Sequence, residues 1–135
     1  MLRHTLVCAL TLLSLPALAA PWVVLDVRHH SYNDRVRVVF DLDRNLAHRT
    51  TFDERSIWLT FPGTLKRLPC AALPGHIDMR RTDDGIRLGY PNDFWVQSFQ
   101  LANPPRMVVD FYGRIGREVI TPNEQAPTLQ GQRCD

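Results

Sequence analysis

Asp41 with Asp43, and Asp83 with Asp84, are paired carboxylates that could share chemistry. Acid–base catalysis needs one carboxyl in a shielded site with its pKa raised. The first pair spans the end of an apolar alternation and the second sits in a turn, so both read as solvated. His29, His30, His48 and His76 follow the N-terminal twenty residues. A zinc site converges three or four ligands, usually with a local pair such as His-x3-His. Adjacent His29 and His30 point apart on an extended chain, so surface histidines, no metal and no cofactor are expected. There is no Gly-x-Ser-x-Gly, no phosphate-cradling glycine loop and no Cys-x-x-Cys. The expectation is a protein without catalytic residues.

Rings interleaved with arginine are the remaining chemical signal. By strand parity Trp58, Trp95 and Tyr112 lie opposite the main apolar face of their strands, and Arg35, Arg37 and Arg87 lie opposite theirs. Rings stack on the apolar faces of sugars, and guanidinium groups pair with carboxylates bidentately. Such a face could hold a glycan bearing acidic peptides. The plainer alternative is that these large rings cover a second packing contact.

The elements that must position these residues are short and extended. Val36, Val38, Phe40 and Leu42 alternate with Arg35, Arg37, Val39 and Asp41, the period of a half-buried strand. In Trp22–Arg28 the alternation predicts Val23, Leu25 and Val27 on one face. Ile57, Leu59 and Phe61 share a face, as do Ile86, Leu88 and Tyr90. Asp83-Asp84-Gly85 signals a tight turn through the positive φ that Asp-Gly tolerates. Asn103-Pro104-Pro105 signals another, because proline presets φ. Leu65–Gly75, with two prolines and Cys70, reads as a connector with room for a short helical turn. No segment carries a sustained 3.6-residue period, so an antiparallel all-β sandwich or barrel is expected.

The first twenty residues read as a signal peptide. Arg3 and His4 precede an apolar run over Leu6–Leu15, which is too short to span a bilayer. Pro16 and Ala17-Leu18-Ala19 follow, with cleavage expected after Ala19 or Ala20. Export to the periplasm follows from this, with no membrane insertion after cleavage. Without Arg3 the remaining chain holds 15 basic and 14 acidic residues, which makes no electrostatic case for nucleic acid. An exported compartment permits a disulfide, and Cys70 and Cys134 are the two cysteines outside the signal. Their pairing is one reading; free thiols and an intermolecular bond are the others. Residues 114–135, whose end is rich in proline, glutamine and asparagine, read as a flexible tail.

A shift of fifty residues carries Ile57, Leu59, Phe61 and Gly63 onto Met107, Val109, Phe111 and Gly113. It also carries Val36, Val38 and Phe40 onto Ile86, Leu88 and Tyr90. Two four-stranded halves are therefore expected, Trp22–Gly63 and Gly75–Gly113.

The run L-A-N-P-P-R-M-V-V-D-F, Leu101–Phe111, closely resembles the signature of the AMIN domain. R-V-R-V-V-F-D-L-D resembles that family's first hairpin strand. The resemblance covers about Trp22–Tyr112, within a domain taken as residues 21–113. It implies a periplasmic sandwich of two related four-stranded sheets that localises a protein by binding peptidoglycan. Such domains stand at the front of N-acetylmuramoyl-L-alanine amidases and pilus secretins. No amidase region follows here, so hydrolysis is not implied. Pro104, Pro105, Arg106 and Asp110 are the motif positions. Arg106 and Asp110 are four apart and share a strand face; the structural expectation is an ion pair that ties neighbouring strands, and the functional alternative is ligand contact. The expected function is non-catalytic peptidoglycan binding, centred on Trp95 and Arg87 with Trp58, Arg35, Arg37 and Tyr112. The alternative is docking onto an envelope assembly such as a secretin, pilus or division complex.

Overall fold

A computed structural model of the chain describes residues 19–91 and 93–113. The tail, Cys134, and all of the expected signal before Ala19 lie outside the described residues. Among the described residues there are nine strands and no helix. They are β1 (Trp22–Ser31), β2 (Arg35–Leu42), β3 (Arg49–Asp53), β4 (Ser56–Thr60), β5 (Leu65–Arg67), β6 (Asp78–Thr82), β7 (Gly85–Gly89), β8 (Trp95–Ala102) and β9 (Pro105–Tyr112).

The strands form two sheets. One is five-stranded in the order β5-β1-β2-β9-β8, and the other is four-stranded in the order β3-β4-β7-β6. Every pairing is antiparallel except β1 with β5, which is parallel. This corrects the expectation of two four-stranded sheets. The connector supplies the fifth strand, β5, in place of a helical turn. It also buries Leu65, Leu68 and Leu73.

The repeat appears in the topology in a form that the expected halves do not have. Each half sends one hairpin to each sheet. β1–β2 joins β8–β9 from the second half, and β3–β4 joins β6–β7. A shift of fifty carries the order β1-β2-β9-β8 onto β6-β7-β4-β3. The register also carries over in the first hairpin. Val27 pairs with Phe40, and fifty residues later Ile77 would stand opposite Tyr90, in line with the observed Met79–Leu88 pair. Halves that exchange hairpins bury strand pairs from both, so neither half holds the fold alone.

Apart from Val108, the buried apolar side chains of both sheets belong to one cluster. Val36, Val38, Phe40 and Leu42 of β2 meet Met107, Val109 and Phe111 of β9 on the core face of the larger sheet. Ile57, Leu59, Ile86 and Leu88 come from the smaller sheet. The Trp22 and Phe61 rings lie 4.6 Å apart, and those of Tyr90 and Phe111 5.6 Å.

β1 departs from its sequence pattern. Trp22 and Val24 are fully buried, whereas Leu25 is 56% exposed. Val24 pairs with Leu42 but Asp26 pairs with Asp41, so Leu25 is the extra residue of a β-bulge. A bulge adds one residue to one strand and swaps the faces beyond it. Val27 can therefore pack against the core on the far side.

Gly85 also has a different use from the one expected. It opens β7, and the positive-φ residues among those described are Gly63, Gly75 and His76. The β6–β7 turn therefore does not rest on a left-handed glycine. A Cβ at Gly85 would strike the Leu59 carbonyl oxygen, so the glycine is needed for the close approach of β4. The other turn follows expectation: Asn103 and Pro104 link β8 to β9, with a cis peptide bond between them.

Candidate ligand face

The five-stranded sheet turns a second face away from the shared core, and its side chains form ordered rows. β2, β9 and β8 stay in register along their whole contact, so residues opposite one another share a face. Arg35, Tyr112 and Trp95 make one row. His30, Arg37, Asp110 and Gln97 make the next, followed by Arg28, Val39, Val108 and Phe99. Asp26, Asp41, Arg106 and Leu101 make the last.

Asp110 anchors this face. It is 1% exposed and accepts two hydrogen bonds from Arg37, Nε to Oδ1 at 2.7 Å and Nη2 to Oδ2 at 2.8 Å. Arg35 Nε stands 3.9 Å from Oδ2, close enough for charge attraction but too long for a hydrogen bond. A buried carboxylate needs such partners, because leaving water unpaired costs several kcal/mol. The hydrogen bonds to Asp110 hold the Arg37 guanidinium above its ordinary pKa, against a smaller opposing effect of burial.

The expected Arg106–Asp110 ion pair is not formed. Asp110 pairs across the sheet with β2, and Arg106 Nε donates to the Pro104 carbonyl at 3.3 Å. Residues four apart on a strand are separated by two pleats, while the cross-strand neighbour is directly alongside. The nearer cation takes the carboxylate. Asp41, one of the expected solvated acids, is held in the same way by Arg28 Nε and Nη2 at 2.9 and 2.8 Å.

Rings surround the two arginines. The Arg35 guanidinium lies 4.4 Å from the Tyr32 ring centre and 5.8 Å from that of Tyr112. The Arg37 guanidinium lies 5.5 Å from Phe99 and 5.9 Å from Tyr32. Trp95, 60% exposed, leans on Tyr112 with ring centres 4.8 Å apart. At these distances the ring faces attract the guanidinium charges. Arg37 is committed to Asp110. Arg35 turns Nη1 outward to the exposed Asp34, at 3.1 Å from both carboxylate oxygens. An incoming carboxylate could exchange with so exposed an ion pair at little cost.

Arg35, Arg37, Trp95 and Tyr112 are thus brought together as expected. Trp58 and Arg87 are not with them. They stand opposite each other on β4 and β7 of the other sheet, with the guanidinium 5.4 Å from the Trp58 ring. The expected pairing of Trp95 with Arg87 in one site is therefore corrected: strand parity assigns a face within a strand, but the two strands belong to different sheets. Trp58 is further fixed by Asp53, whose Oδ2 accepts from Trp58 Nε1 at 3.3 Å while Oδ1 accepts from the Arg55 backbone N–H at 2.9 Å. These bonds, with the Arg55 amide foremost, lower the Asp53 pKa.

Tyr32 and Phe99 belong to the face and escaped the sequence reading. Tyr32 sits in a turn closed by its N–H to the Arg35 carbonyl at 2.7 Å, where parity has no meaning. Phe99 could have been found, since it shares parity with Trp95 in β8. Among the described residues no three of His, Cys, Asp and Glu stand close enough to hold a metal ion. Cys134 lies outside the described residues, and with it the Cys70–Cys134 pairing. No family model, curated protein or solved structure matches this chain.

Proposed function

We propose that this chain is an exported, non-catalytic domain that binds peptidoglycan through the open face of its five-stranded sheet. The observation that carries this reading is the cluster of Trp95, Tyr112, Tyr32 and Arg35 seated on the ion pair of Arg37 with the buried Asp110. Exposed rings offer stacking surfaces for sugar rings, and Arg35 offers a planar fork for the carboxylates of stem peptides. The pair beneath holds these groups in place before any ligand arrives, so less ordering is required on binding. The resemblance of Leu101–Phe111 to the AMIN signature points the same way, and its Asp110 is the residue that organises the face. The single apolar cluster shared by both sheets supports a further reading, in which they pack face to face as a sandwich with this face outward.

Binding is tested by sedimenting the purified protein with cell-wall sacculi. The protein pellets with sacculi at moderate salt and releases no soluble muropeptide. Retention in the supernatant, or release of muropeptide, overturns the proposal. Export is tested separately by mass spectrometry of the mature protein, which begins at Ala20 or Pro21.

A further inference from the structure

The two sheets end in four edge strands: β5, β8, β3 and β6. An unpaired edge is a template for another strand, and proteins blunt such edges with charge, proline, bulges or shortness. β5 is three residues long and holds Lys66 and Arg67. β3 holds Arg49 and Asp53, and β6 holds Asp78, Arg80 and Arg81. β8 has none of these defences. Trp95–Ala102 is eight residues long, uncharged and free of proline, and it pairs with β9 at every position without a bulge. Among the described residues no strand occupies its other edge.

We propose that β8 is a self-association edge, where two copies of this chain pair their β8 strands antiparallel about a two-fold axis at Ser98. Residues opposite one another in a ladder share a face. With Trp95, Gln97, Phe99 and Leu101 on the open face, a symmetric pairing must therefore centre on a residue and not between two. Centring on Ser98 opposes the whole stretch from Trp95 to Leu101. Trp95 then meets Leu101 of the partner subunit, and Gln97 meets Phe99 of the partner subunit. Trp95 and Leu101 are two of the exposed large apolar side chains of this fold, 60% and 37% accessible, and the pairing sets them side by side at the seam, with the Trp95 ring still on the open face. It brings no like charges together, because the strand carries none. The occupant is a second copy because the strand is complementary to itself in both pattern and charge. The two five-stranded sheets become one continuous sheet with an isologous interface.

Sedimentation velocity on residues 21–135 tests this from ~10 µM to ~500 µM, the range in which small interfaces associate. A reversible monomer–dimer equilibrium is expected. Gln97→Lys places two cations beside the axis and weakens the dimer at least ~10-fold. Leu25→Lys, on the bulge of β1, leaves it unchanged. Ser98→Cys gives a disulfide-linked dimer under oxidising conditions, since residues facing one another at the axis lie within bridging distance. A chain that stays monomeric throughout, or a dimer indifferent to Gln97→Lys, overturns the proposal. All nine strands lie between Trp22 and Tyr112, so residues 21–113 serve as a second sample. If these dimerise while residues 21–135 remain monomeric, the C-terminal segment holds the edge and the two-fold pairing is overturned.

Discussion

Asp110 is a charge inside a protein, and its partners decide whether that charge is tolerated. Arg37 covers it with two hydrogen bonds and Arg35 adds a third-party attraction. Asp110→Asn keeps the shape but leaves the guanidinium beneath the rings without its counter-charge. Removing one member of a buried pair costs up to several kcal/mol, and the partial exposure of Arg37 lowers that figure. Urea unfolding is expected to show a loss of about 2 kcal/mol; a loss below about 0.5 kcal/mol would mean that the pair does not organise the face. Asp53 makes the opposite case, an exposed acid held by turn geometry. Its pKa is lowered in the fold, so its contribution is present above the unfolded value and is lost as pH falls through the folded one. Titration of its side-chain carbon by NMR should show a midpoint below the reference 3.8. A midpoint at or above that value would mean that the Arg55 and Trp58 hydrogen bonds do not stabilise the carboxylate.

At the scale of strands, β1 separates a reading by alternation from the observed bulge. Alternation puts Leu25 in the core with Val23 and Val27; the bulge puts Trp22 and Val24 there instead. Leu25→Ser should therefore change stability by less than about 0.5 kcal/mol, and Trp22→Ala should cost about 3–5 kcal/mol. Chemical denaturation of the two variants side by side distinguishes the two phases, since the alternating reading predicts a large loss at Leu25. The reason this was not legible is physical. Trp-Val-Val-Leu is apolar at four successive positions, so period 2 has no contrast from which to fix a face. β2 is the reverse case, where arginine and aspartate alternate with apolar residues and the burial follows residue by residue. The open-face assignments of Arg35, Arg37, Trp95 and Tyr112 were legible for the same reason. Their grouping was not. Which strand lies beside which depends on hairpins exchanged between the two halves, and no local pattern records that exchange. The same blindness placed Arg87 beside Trp95 and paired Arg106 with Asp110, where the fold offers nearer neighbours.

For the whole molecule the question is what one small all-β domain with two ring-and-arginine clusters is for. The cluster on the smaller sheet, Trp58 with Arg87, has its indole N–H engaged by Asp53. The cluster on the larger sheet rests on the pair of Arg37 with the buried Asp110 and presents Trp95 most openly. The reading that pairs Cys70 with Cys134 is checked by peptide mapping without reductant, where a single linked peptide is expected and two free thiols overturn it. On the proposed function, ligand is held by the larger sheet's face. The most direct measurement is sacculus co-sedimentation of the wild type beside Trp95→Ala and Trp58→Ala. A stacked ring contributes ~1–2 kcal/mol to binding when truncation costs it. Wild type and Trp58→Ala are expected to pellet alike, and Trp95→Ala to bind about 10-fold more weakly. Equal binding by Trp95→Ala and wild type, or loss confined to Trp58→Ala, would contradict it.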